Sequence, residues 1–276
     1  YRDNMGRIWV TTLYSGVYRL VLDEQTNNIE TVTVLDQGSG LTGDNVNAVY
    51  QDIEGNFWFG FSGDGLSLMK SEAFSYFSPG ETPDKKNIIA IDQLNDRILM
   101  GTPSGYYLFD PSRNAVGDFF DLSQSLASEI ISFETDNSGN IWIGTDGKGL
   151  YLKKNVGTIA SFYRTGNTSE DYITDIIVDE EYIWLGTLNG VILIDRSSGM
   201  FLNRFNIDNG LPHNSISNLE LTSDRKCAVA LKTDRMFLID PVDGISSSPA
   251  LMYGTTINNV YSYSEDKNGN IWAATN

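Results

Sequence analysis

The chain has 276 residues, 41% hydrophobic and 12% aromatic, enough to bury a substantial core and unlike a disordered or low-complexity segment. Nineteen Lys and Arg face 36 Asp and Glu, a formal charge of -17 that no basic cluster interrupts, so a nucleic acid partner is not expected. A single cysteine, Cys227 in an apolar strand, excludes an internal disulfide and a thiolate zinc site, and no apolar run approaches bilayer-spanning length.

In chain order, one pattern occurs seven times. It opens as Gly6-Arg7-Ile8-Trp9-Val10-Thr11-Thr12 and returns as Gly55-Asn56-Phe57-Trp58-Phe59-Gly60-Phe61. Arg97-Ile98-Leu99-Met100-Gly101-Thr102 is a worn copy, and Gly139-Asn140-Ile141-Trp142-Ile143-Gly144-Thr145 is the fullest one. Tyr182-Ile183-Trp184-Leu185-Gly186-Thr187, the worn Cys227-Ala228-Val229-Ala230-Leu231 and Gly269-Asn270-Ile271-Trp272-Ala273-Ala274-Thr275 complete the set. The tryptophan position falls at 9, 58, 99, 142, 184, 229 and 272, so successive copies lie 41 to 49 residues apart. That period is the length of a four-stranded propeller blade, and one such unit cannot bury its own apolar surface without stacking on neighbours.

Each period reads as four short strands, numbered first to fourth outward. In the fifth they are roughly 172–179, 182–187, 191–196 and 200–205, and runs such as Val191-Ile192-Leu193-Ile194 indicate strands covered on both faces. Asp52 to Asn56, Asp136 to Asn140 and Asp266 to Asn270 read as hairpin turns between first and second strands, with Gly at the left-handed position. An EF-type calcium loop is the weaker reading of these turns, because strands follow where a closing Glu is needed. The first period holds only its second, third and fourth strands and the last only its first and second. The expectation is therefore an all-β, seven-bladed β-propeller of four-stranded blades with incomplete first and last blades. A six-bladed ring with a terminal hairpin is the alternative. Residues 1–276 form a single propeller segment in this reading, cut from a longer protein.

With its lead-in sequences set out, the chain resembles the two-component regulator propeller family. Gly40-Leu41-Thr42-Gly43-Asp44-Asn45-Val46 and Gly210-Leu211-Pro212-His213-Asn214-Ser215-Ile216 match that family's opening, followed by the Asp-x-x-Gly-Asn turn and the Trp strand. Leu99 and Val229 depart from it in place of Trp, and Leu231 in place of Gly. The resemblance implies the periplasmic sensor region of a hybrid two-component histidine kinase and response regulator. Such a receptor pairs this propeller with a second one and a β-sandwich, forms a homodimer and meets the membrane only through the full-length protein. An oligosaccharide released from a polysaccharide is the implied ligand.

No enzyme, cofactor or metal is expected. His213 is the only histidine, so it lacks an imidazole partner for a metal, and it reads as a loop spacer or a rim contact. Glu170, Asp171, Asp179 and the Glu180-Glu181 pair are the carboxylates available to a lyase or hydrolase, named for acidity alone. The tryptophans read as core rather than sugar platforms, and Gly60, Gly101, Gly144 and Gly186 as points where a neighbouring blade comes close. Ligand candidates lie in the loops at one end of the blades. From the second-to-third loops come Tyr14, Asp64, Tyr106, Lys148, Asn189, Lys232 and Arg235. Asp171, Tyr172, His213 and Asn214 come from the loops between blades. Rings, amides and charges of these kinds grip sugars, and Lys148, Lys232 and Arg235 would meet a uronate or sulfate. Ordinary solvated loop positions are the competing reading of each.

Overall fold

Short apolar strands punctuated by Gly and Asp turns build antiparallel sheets, in order along the chain. The computed structural model describes residues 1–23, 28–70, 73–77, 82–113, 115–231, 236–247, 260–265, 269 and 271–275. The first sheet contains β1 (Ile8–Thr11), β2 (Val17–Leu22) and β3 (Ile29–Leu35). The second has β4 (Val46–Gln51), β5 (Phe57–Phe61), β6 (Leu66–Lys70) and β7 (Ala73–Phe77). The third has β8 (Ala90–Leu94), β9 (Arg97–Thr102), β10 (Gly105–Asp110), β11 (Ala115–Val116) and β12 (Phe120–Asp121). The fourth follows with β13 (Ile130–Thr135), β14 (Ile141–Thr145), β15 (Leu150–Lys153) and β16 (Ile159–Tyr163). In the fifth are β17 (Ile173–Val178), β18 (Tyr182–Thr187), β19 (Gly190–Asp195) and β20 (Phe201–Phe205). The sixth has β21 (Asn218–Leu221), β22 (Cys227–Ala230), β23 (Phe237–Asp240) and β24 (Gly244–Ser247), and the seventh β25 (Val260–Glu265) and β26 (Ile271–Thr275). Two compact units result, residues 1–130 and 131–276.

Four of these sheets have the four strands expected of a blade. The first has three, and Tyr1 to Asp3 add a stub of inner strand, with the Trp9 N–H donating to the Tyr1 carbonyl at 2.8 Å and the Asp3 N–H to that of Arg7 at 3.0 Å. In the third sheet the fourth strand is split into β11 and β12, both paired with β10, because Phe119 turns in against Tyr107 with ring centroids 4.8 Å apart. The seventh has two strands among the described residues, so uniform four-stranded blades are not observed and six sheets have three or more strands.

The repeat's residues each have a physical task. Trp9, Trp58, Trp142 and Trp184 are 0–3% exposed, in core clusters with apolar side chains of adjacent sheets. Full burial of these rings supports the core reading over a sugar platform. The turn Asp holds the Trp in place: Asp52 Oδ2 accepts the Trp58 indole N–H at 2.8 Å, while its Oδ1 accepts the N–H groups of Glu54 and Asn56. Asp3 with Trp9 and Asp136 with Trp142 repeat this bond at 2.8 and 3.1 Å. At the far end of the same strand, the hydroxyls of Thr12, Thr102, Thr145 and Thr187 close the second-to-third loop onto the carbonyl of Gly16, Gly105, Gly149 and Gly190.

Neighbouring sheets are tied through their backbones. The N–H at the start of a first strand donates to the carbonyl at the end of the preceding second strand, as in Val46 to Thr12 (2.9 Å), Ile88 to Phe61 (3.0 Å) and Ile216 to Thr187 (3.0 Å). Gly144 faces the next sheet so closely that a Cβ there would lie 2.7 Å from Ile173 Cγ2 and 2.2 Å from Ser132 Oγ, and Gly60 and Gly186 meet Ile88 and Ile216 in the same way.

The lead-in motif is a built turn. Asp36 and Asn206 cap short 3-10 turns, Gln37–Ser39 and Ile207–Asn209, which end at Gly40 (φ 111) and Gly210 (φ 124), where a side chain would be strained. Leu41 and Leu211 then plug the sheet junctions at 4% and 3% exposure. Asp44 and Asn214 close the turn, each Oδ1 accepting a 3-10 N–H at 2.9 Å, from Gln37 and Ile207.

Candidate functional site

In the second unit, loops between sheets lock together through side chains. Glu170, in the short helix Thr168–Asp171, is buried; its Oε2 accepts from Arg204 at 2.7 Å and its Oε1 from Asn167 and Asn189 at 3.2 and 3.1 Å. Asn189 passes the connection on, its Oδ1 accepting the Asn214 amide at 3.0 Å. Asp171, also buried, accepts the N–H groups of Thr165 and Gly166 at 2.8 and 2.9 Å and pairs with Arg164 at 3.4 Å. These side chains spend their polar atoms on the fold, as Asn and Asp do beside free backbone donors.

Other expected ligand contacts are placed as follows. Tyr14 is 84% exposed and Asp64 exposed, whereas Tyr106 is 2% exposed inside β10, stacked on Phe120 at 4.8 Å, and burial pushes its phenol up to about 12. Lys148 and Tyr172 are half-buried. His213 is exposed and accepts the Ser215 N–H on Nδ1 at 3.0 Å. Lys232, Arg235 and most of the Asp266 turn lie outside the described residues. The structure thus brings Asn189, Asn214 and the Asp171 helix together, as a structural network. Glu180 and Glu181 are exposed, and Asp179 Oδ1 accepts the N–H groups of Glu181 and Tyr182. Among the described residues no group of three or more His, Cys, Asp or Glu is arranged to hold a metal ion.

At the opposite end of these sheets the turns carry arginines. Arg196 donates to Asp136 Oδ2 at 3.1 Å and to the Asp179 carbonyl at 2.6 Å, joining the fourth and fifth sheets. Burial raises the Asp136 carboxyl, but hydrogen bonds from Asn140, Trp142 and Ser138 outweigh it and hold the group below its usual range. Arg225 reaches Glu181 at 3.2 Å and Asp179 Oδ2 at 3.6 Å. Arg196 follows a third strand and Arg225 lies in a first-to-second turn, and a cation in such a turn of an acidic chain is the sequence signal for this end.

Two inner-strand carboxyls are pushed the other way. Asp175 accepts from Asn218 and the Leu219 N–H at 2.8 and 2.7 Å, yet burial takes it up to about 6; burial likewise takes Glu220 up to about 7. For acids whose folded values lie above the unfolded ones of about 4, stability is greatest at low pH and is lost as pH rises through about 4 to 7. The thermal midpoint is expected to be higher at pH 6 than at pH 8. Glu220→Gln should shrink that difference, and a midpoint that rises with pH would contradict it.

The sheet order and strand pattern define an all-β propeller, and comparison with solved structures agrees. The WD40 β-propeller domain of Doa1 superposes with a TM-score of 0.71 at 14% identity, over 99% of this chain and 86% of that one. The extracellular domain of BT3049, a proposed hybrid two component system of B. thetaiotaomicron, gives 0.74 at 17% identity over all of this chain and 38% of that one. The extracellular domain of BT4673, a proposed one component system of the same organism, gives 0.73 at 15% over 100% and 36%. The chain thus spans little more than a third of those two neighbours. The model of the two component regulator propeller family matches residues 40–63, 125–147 and 256–276 of the chain. That family is a regulator propeller rather than an enzymatic one. A search of curated proteins finds no match, and no described helix is long and apolar enough to cross a membrane.

Proposed function

We propose that this chain is a periplasmic sensor propeller of a hybrid two-component receptor that recognises an oligosaccharide and relays binding to a histidine kinase elsewhere in the protein. The observation that carries the reading is the threefold match to the regulator propeller repeat, on a fold shared with extracellular domains of two-component systems. In this reading the seven sheets are seven blades. A second propeller and a β-sandwich of the same receptor, and a second receptor copy, are the proposed partners. Binding would signal by favouring one arrangement of these parts over another.

A melt of the chain against neutral, uronic and sulfated oligosaccharides tests the reading. Ligand at about a hundred times its Kd adds roughly 2.7 kcal/mol of stability, so one sugar class should raise the midpoint selectively. The internal bonding of Asp171, Asn189 and Asn214 favours a second reading, an assembly module without a ligand. For that, no sugar moves the melt and the midpoint climbs with protein concentration.

A further inference from the structure

A cavity of about 630 Å³ lies in the second unit, at the turn end of the fourth sheet and away from the loops that bind Asn189 to Asn214. Its floor is apolar, formed by half-buried Leu152 and Phe162 and exposed Ala160, with Phe162 backed edge-on at 4.8 Å by the buried Trp142, and its rim carries Asn140 and Ser161. Two cations complete it, Lys154 and Arg196.

The charge is unevenly spent. Asp136, the carboxylate in the wall, already accepts from Ser138, Asn140, Trp142 and Arg196. Arg196 commits NH2 to Asp136 and NH1 to the Asp179 carbonyl, two of the five N–H donors of a guanidinium. Lys154 is exposed and has no ion pair among the described residues. On a chain of formal charge -17, this recess therefore keeps a cation and arginine donors to spare.

An apolar floor beneath hydroxyl and amide groups suits the C–H face and hydroxyls of a sugar ring, and unspent Lys and Arg donors suit an acid group on it. We infer that this cavity is a subsite for an anionic sugar unit, a uronate or a sulfated residue, of an oligosaccharide. The inference rests on the sensor reading above and adds the place and the charge of the ligand.

Calorimetric titration of the 276-residue chain tests it with a galacturonate disaccharide, a sulfated galactose disaccharide, the uncharged galactose disaccharide and inorganic sulfate. At least one anionic disaccharide should bind about tenfold or more tighter than the neutral one, with no binding of sulfate alone. Lys154→Glu should weaken it by a similar factor, whereas Lys70→Glu, at the exposed end of β6, should leave it unchanged. Lys154 is exposed, and a melt in the absence of sugar confirms that the variant folds. Sugar binding that survives Lys154→Glu overturns the subsite and leaves the sensor reading standing. If sulfate alone binds as well as the sugars, the cavity is an anion site and the inference fails. If none of the saccharides binds the unaltered chain, both readings fail.

Discussion

Asp52→Ala is expected to lower the unfolding free energy by roughly 3 kcal/mol or more, measured by urea unfolding. The Asp52 carboxylate is 4% exposed and accepts the Trp58 indole N–H and the backbone N–H groups of Glu54 and Asn56. Removing it strands several donors in a closed turn, and each buried donor left without a partner costs about 1–3 kcal/mol. Trp184 supplies the contrast. Its turn is one residue shorter, with Asp179 five rather than six positions before the ring, and both Trp184 Nε1 and Asp179 Oδ2 are buried without a hydrogen bond. Both Trp→Phe changes lose buried ring volume, but Trp58→Phe should cost about 1 kcal/mol more than Trp184→Phe, because it also takes the indole donor from buried Asp52 Oδ2 and leaves that oxygen only Asn56 Nδ2. Equal losses at the two tryptophans would refute the role given to the turn carboxylate.

Gly144→Val should be as damaging, by overpacking instead of lost bonding. A Cβ at this position meets Ser132 Oγ at 2.2 Å and Ile173 at 2.7 Å, atoms of flanking strands that are themselves packed. Forcing one methyl into such a junction costs about 1–3 kcal/mol, and the two further methyls of valine take the loss beyond that range. Gly144→Ala should sit between wild type and Gly144→Val in midpoint. A Gly144→Ala protein as stable as wild type would mean that the sheets can move apart and that the glycine is not there for close approach.

The sequence carried the period, the turns and the buried tryptophans because each is a local pattern repeated at matching spacing. Gly60, Gly144 and Gly186 were legible as close approaches for the same reason. The split fourth strand of the third sheet was not, since it depends on Phe119 packing against Tyr107 rather than on any local propensity. Site residues were harder still. Asp171, Asn189 and Asn214 stand out in the sequence as polar loop residues, and those are also the properties of side chains that bond neighbouring backbone and one another. Tyr106 reads as a loop residue from its position after the worn repeat copy, but β10 begins at Gly105 and takes it into the core. The recess at Lys154 and Arg196 brings together residues from separate turns, a juxtaposition that only the folded chain makes.

The backbone ties between sheets have a consequence for how the molecule opens. An amide such as that of Val46 or Ile216 is sealed by a carbonyl belonging to the preceding sheet, so it is released to exchange with solvent when either partner frays. Stability is then shared between neighbours along the array as in a one-dimensional zipper, and loosening spreads to the adjacent sheet before it reaches a distant one.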